Sequence, residues 1–134
     1  MNPNDPSDAR IELRISRLDR AVRALSAANR TLLRASDEQQ LLEDMCQVLV
    51  REGGYSRALV GYAQHDAEKS IRVMAIAGSD RHLPPEGLLG WGDDRYELSA
   101  AGTAVRTGEP SVGRMRAEDA SYDERLRRHA LEHG

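Results

Sequence analysis

Seven residues fix the character of the N-terminal quarter of the chain. Ile11, Ile15, Leu18, Val22, Leu25, Asn29 and Leu32 follow one another at steps of 4, 3, 4, 3, 4 and 3. That alternation is the heptad seam of a helix that packs along one narrow stripe. Ile11, Leu18, Leu25 and Leu32 take the d positions, and Ile15, Val22 and Asn29 take a. Branched residues at a with mostly Leu at d favour two parallel strands, and a lone Asn at a fixes their register. Arg14 falls at g and Asp19 at the following e, the placement of an interhelical ion pair; exposed, such a pair contributes ~0.2–1 kcal/mol. The seam therefore predicts a homodimer through a helix over 9–35, after a disordered lead over 1–8, of which 2–8 read alternatively as a helix lead-in. The competing reading packs the same stripe on the chain's own domain, with Leu33 widening the apolar face.

The remaining length holds one domain. Of 134 residues, 40% are hydrophobic and 31% charged, as in soluble globular chains. No apolar run approaches the ~18 residues of a membrane span, and the polar Met1–Arg10 stretch is no signal peptide. Cys46 is the single cysteine, so an intramolecular disulfide is excluded and a reducing, cytoplasmic address is the default. A net charge of −3 gives no footprint for nucleic acid. No membrane partner is expected either. Seven Arg against four acids make residues 1–35 net +3, and the remainder is net −6. Phe is absent and Trp91 stands alone, so the core must be aliphatic.

After the seam, Ser36 with Gln39 reads as a helix N-cap and capping box. Leu41, Leu42, Met45, Leu49 and Val50 form its buried face, and Gly53-Gly54 stops it. Tyr55–Ala63 and Ser70–Ala77 read as strands of an antiparallel hairpin around the polar turn His65–Lys69. Residues 78–98 are irregular, broken by Pro84, Pro85, Gly87, Gly90 and Gly92. Ser99–Thr107 reads as a short helix stopped at Gly108, Pro110–Gly113 as a short strand, and Ala117–His133 as an amphipathic helix with Tyr122, Leu126, Ala130 and Leu131 inward. This is an α+β pattern.

The order of elements carries a family resemblance. The helix LLEDMCQVLVREGGY, the strands RALVGYA and SIRVMAIAG, Trp91 followed by Asp93, and AAGTAVRTGEPSV together resemble GAF domains of bacterial histidine kinases and diguanylate cyclases. The resemblance spans about residues 30–134. It implies a GAF-like (PAS-related) antiparallel sheet flanked by helices, here led by the long coiled-coil helix. It also implies that the 36–134 domain is incomplete at its C-terminus, with the last strands missing, because the family continues past the helix at 118–133. Where the family has Gly-Pro before its Gly-Thr-Ala helix, this chain has Tyr96-Glu97-Leu98-Ser99-Ala100-Ala101.

Candidate chemistry is sparse. His129-Ala130-Leu131-Glu132-His133 formally matches H-x-x-E-H, but the third ligand a zinc protease needs does not follow. Cys46 is either a nucleophile flanked in space by His and acid or a small buried hydrophobe. The haem-binding relatives make His65 and His82 candidate axial ligands. A small-residue helix start beside a Gly-rich loop offers backbone N–H groups to an anion. The pocket so implied is lined by Tyr62, Met74 and Ile76 from the strands, Trp91, Asp93 and Asp94 from the loop, and Thr103 and Arg106 from the short helix. The alternative is that Trp91 plugs the core and Arg106 is a surface charge. No P-loop, nucleophile elbow, kinase motif or paired-cysteine metal motif occurs, so no enzyme is expected. The sequence points to a signal-transduction sensory domain binding an unidentified small molecule; the alternative is a ligand-free dimerisation or interaction module. It names no cofactor.

Overall fold

A computed structural model describes residues 5–78, 89–92, 99–113, 128 and 131–132. The element order is α1 (Pro6–Arg34), α2 (Glu38–Arg51), β1 (Arg57–Ala63), β2 (Ile71–Gly78) and α3 (Ala100–Thr107). Among the described residues the fold is α+β, with helices against a two-stranded antiparallel sheet.

α1 begins at Pro6, inside the stretch expected to be a disordered lead. Asp5 caps it, its side chain accepting from the Ser7 N–H at 2.9 Å. Pro6 at the first helical position has its φ already set and lacks an N–H that would otherwise go unpaired. α2 is capped by Asp37 rather than Ser36: the Asp37 carboxylate accepts from the Gln40 N–H at 2.8 Å. Gln39 closes no capping box. It donates instead to Glu43 at 2.7 Å and to the Met74 carbonyl at 3.1 Å, tying the start of α2 to β2. α2 ends where Gly54 adopts φ 74° and the Tyr55 N–H reaches back to the Leu49 carbonyl, as the Gly-Gly stop predicts.

β1 and β2 pair from Arg57↔Gly78 to Ala63↔Ile71, with a register shift between Val60 and Gly61. Val60 faces Ala75 and Gly61 faces Val73, so Met74 is the extra residue of a β-bulge. The connecting turn is closed by Asp66, which takes the Ser70 N–H at 2.8 Å as well as the Ser70 hydroxyl. These bonds hold the exposed Asp66 carboxyl below its ordinary range. Lys69 takes a left-handed φ of 48° to complete the turn.

The core lies between α2 and one face of the sheet. Cys46, Ala75 and Ala77 are buried together, with Leu42, Val50, Ala58 and Val60 packed around them. The two alanines leave room for α2 to approach closely. Burial pushes the Cys46 thiol up, partly offset by a hydrogen bond with the Val60 backbone.

α1 packs on α2 through Ala27, the one buried residue of that helix. The apolar members of the seam, Ile11, Ile15, Leu18, Val22, Leu25 and Leu32, are between 51% and 65% exposed. Among the described residues nothing outside α1 covers them. On a helix of 3.6 residues per turn, the Ala24–Ala27–Thr31 stripe lies roughly half a turn from the seam.

α3 is capped by the buried Ser99, whose hydroxyl accepts from the Gly102 N–H at 2.9 Å, and it ends at Gly108 with φ 71°. The strand expected over Pro110–Gly113 is not formed, and Val112 is 93% exposed. Of the helix expected over Ala117–His133, Arg128, Leu131 and Glu132 are helical, and Leu131 is exposed. Tyr122, Leu126 and Ala130 lie outside the described residues.

Candidate functional site

Three of the expected pocket residues come together at the turn end of the hairpin. Leu89–Gly92 runs along the start of β2 as a short antiparallel segment: Ser70 bridges Gly90, the Ile71 N–H donates to the Leu89 carbonyl at 3.0 Å, and the Trp91 N–H donates to the Lys69 carbonyl at 2.8 Å. Trp91 thereby lies over the turn. Its indole N–H donates to the Gln64 carbonyl at 2.9 Å, the His65 ring meets it edge-on at 5.6 Å, and the Lys69 ammonium sits 5.2 Å from its centroid. This is a cation–π and aromatic cluster built on one turn.

Arg106 reaches this cluster from α3. Its Nη1 donates to the Trp91 carbonyl at 3.1 Å and to the Gly92 carbonyl at 2.9 Å, and its Nη2 donates to Thr103 Oγ1 at 3.2 Å. The planar guanidinium fork clasps loop backbone to helix. Of the N–H groups expected to meet an anion at the start of α3, that of Gly102 is taken by the Ser99 hydroxyl.

The strand residues do not join this group on one face. Ala58, Val60, Ala75 and Ala77 face α2. Tyr62 is two residues on from Val60 and shares its face. Its hydroxyl donates to the Glu38 carboxylate at the start of α2, and that bond raises the phenol pKa. Ile76 pairs with Leu59 on the opposite face. Met74 sits at the bulge, its carbonyl taken by Gln39. Asp93, Asp94 and His82 lie outside the described residues, as do His129 and His133 of the zinc-like string. His65 rests its ring against Trp91. Cys46 is fully enclosed with its thiol pKa raised, the opposite of what a nucleophilic cysteine needs.

Gln64 and Lys69 were missed as partners of Trp91. Lys69 carried a signal, being the only lysine in a chain whose other basic residues are arginine. The Gln64 contact is made by a backbone carbonyl, which no side-chain pattern encodes.

Two surfaces remain distinct from the Trp91 cluster. One is the exposed seam of α1, about 30 Å long from Ile11 to Leu32 at 1.5 Å per residue. The other is the groove between α1 and α2, where cavities of about 280 Å³ and 210 Å³ open. No helix among the described residues is long and apolar enough to cross a membrane. No protein-family model, no curated protein and no solved structure matches the chain.

Proposed function

We propose that the chain is a GAF-like sensory module of a cytoplasmic signal-transduction protein, working as a parallel homodimer through α1 rather than as an enzyme. The observation that carries this reading is the placement of the seam. Six apolar side chains at heptad spacing stay exposed on the side of α1 away from α2. Burying such a side chain fully contributes ~1.5–3 kcal/mol. Pairing two seams removes this surface from water without disturbing the α2 contact. Asn29 then faces Asn29 of the second copy, and Arg14 approaches Asp19, which already holds Arg23 along its own helix. The test is sedimentation equilibrium of the chain and of Leu18→Asp with Leu25→Asp. The expected result is a dimer that becomes a monomer; a dimer that survives both changes rules out the seam.

A small-molecule role at the Trp91 cluster is the second reading. It is favoured by Trp91 and Arg106 meeting at a junction of loop, turn and helix, where a ligand would change the Arg106 clasp. Trp91 emission should then respond to that ligand. Silence across haem, cyclic nucleotides and small acids leaves the ligand-free dimerisation module.

A further inference from the structure

Leu33 is the most exposed apolar side chain of α1, at 86%, and it lies outside the seam. It stands at an e position, beside Leu32 at d and one turn on from Asn29 at a. The rest of the chain meets α1 on another side. Ala27 is buried there, and a Cβ on Gly54 would come within 2.9 Å of the Arg20 guanidinium. Arg20 and Ala27 are both f positions, opposite a and d. The contact with α2 therefore leaves the e flank open, and Glu12, Asp19, Ser26 and Leu33 are all exposed along it.

The g flank supplies a match for each of the last three. In a parallel, in-register pair, each g residue meets the e residue five positions on in the second copy. Arg14 then meets Asp19, Ala21 meets Ser26, and Ala28 meets Leu33. The first is an ion pair, the second two small side chains and the third an apolar contact. Ala28 carries only a methyl group, which leaves space for a leucine from the second copy.

Turning one helix round destroys the match. Two antiparallel alignments keep six of the seven seam positions paired, one with Ile11 level with Asn29 and one with Ile15 level with Leu32. Antiparallel helices set e against e and g against g. Leu33 then meets Asp5 in the first alignment and Glu12 in the second, and Arg14 meets an alanine in both. The first also sets Asp19 against Asp19. Asn29 faces Ile11 or Leu18 and loses its amide partner.

We infer that Leu33 belongs to the dimer interface, packing on Ala28 of the second copy, and that this contact and the Arg14–Asp19 pair hold two α1 helices parallel and in register. The inference rests on the dimer reading and extends its surface beyond the seam. Leu33 lies just before the Ala35 cap, so the contact closes the end of the interface from which α2 departs.

Sedimentation equilibrium of the whole chain tests it, with Leu33→Glu, Ala28→Lys and the two combined. Leu33→Glu should weaken the dimer by more than about tenfold, because two leucines lose their cover. Circular dichroism of the dilute chain should be unchanged, since Leu33 makes no buried contact within its own chain. Ala28→Lys should weaken the dimer too. The combined variant should recover most of the loss, as the introduced charges meet across the interface. Positions 28 and 33 lie on opposite flanks of one helix, so that recovery cannot arise within a chain. Unchanged association of Leu33→Glu overturns the inference, as does a combined variant no tighter than either single one. Leu18→Asp with Leu25→Asp separates the two readings: if that variant dissociates and Leu33→Glu does not, the seam stands and the Leu33 contact falls. A parent chain that is monomeric throughout removes both.

Discussion

Arg106 and Trp91 are joined side chain to backbone: the Arg106 guanidinium donates to the Trp91 carbonyl at 3.1 Å while the Trp91 indole N–H donates to the Gln64 carbonyl at 2.9 Å. Arg106 therefore fixes where Trp91 lies by holding its backbone. Hydrogen bonds to a charged donor contribute ~1.5–3 kcal/mol each when partly buried, and this donor also holds Gly92 and Thr103. Arg106→Ala should lower stability by ~1–3 kcal/mol and release the 89–92 segment. Trp91 emission should shift to the red as water reaches the indole. Arg106→Lys should recover little, because an ammonium does not reproduce the fork. Urea melts followed by Trp91 fluorescence measure both effects. An unchanged emission maximum in Arg106→Ala would show that the indole is held by Gln64 and the turn alone.

Cys46 shows how far burial governs a single thiol. It is fully enclosed against Ala75 and Ala77, and burial raises its pKa above the ordinary 9.0. The unfolded chain then loses its thiol proton at lower pH than the folded one. The contribution to stability is fully present below the unfolded value and is lost as pH rises through the folded one. Stability should therefore fall above about pH 9, and Cys46→Ala should flatten that part of the profile. The thiol should react with an aromatic disulfide only at the rate of unfolding. Fast stoichiometric reaction of the native chain would contradict the burial.

The helices and the hairpin were legible in the sequence because their signals repeat. The seam recurs through three heptads, and Gly53-Gly54 and Gly108 mark ends where a left-handed residue is needed. The pocket was not legible, and the reason is parity. Side chains alternate across a strand, so the face taken by Tyr62 relative to Ile76 depends on strand register. The turn over Gln64–Ser70 is too long to fix that register by a two-residue rule, and no glycine of β2 stands at or beside Met74 to announce the bulge there. Tyr62 and Ile76 consequently lie on opposite faces. Asp37 displaced Ser36 as N-cap for a simpler reason, since adjacent residues both carry competent oxygens and only backbone geometry chooses between them.

Gly61 lies where the bulged strands crowd. A methyl group added there would come within 2.4 Å of Ile71 Cγ2. Gly61→Ala should cost ~1–3 kcal/mol by overpacking. Ile71→Val retains a Cγ2 and should not relieve the clash. Ile71→Ala should, so the double variant Gly61→Ala with Ile71→Ala should be more stable than the sum of the two single losses. Thermal melts of the four chains give the coupling. Strict additivity would mean that the strand moves to accept the methyl without involving Ile71.

Asn29 separates dimer strength from dimer order. It is the one polar residue in the seam, and it occupies an a position between Leu25 and Leu32. Paired in register, two Asn side chains satisfy one another; slipped by a heptad, or reversed, each faces an apolar residue and loses its partner. Asn29→Leu should therefore raise the concentration-dependent melting temperature, because apolar area replaces an amide pair. It should also loosen register and strand number. Cysteines placed at Leu18 in a Cys46→Ala background read the order: in the chain with Asn29 they should crosslink almost completely as Leu18–Leu18 pairs. With Leu at 29 the crosslinking should fall and higher oligomers should form. Equal crosslinking in both chains would show that the Arg14–Asp19 charge pairing and the branched a positions set the register, with Asn29 a tolerated polar residue on that face.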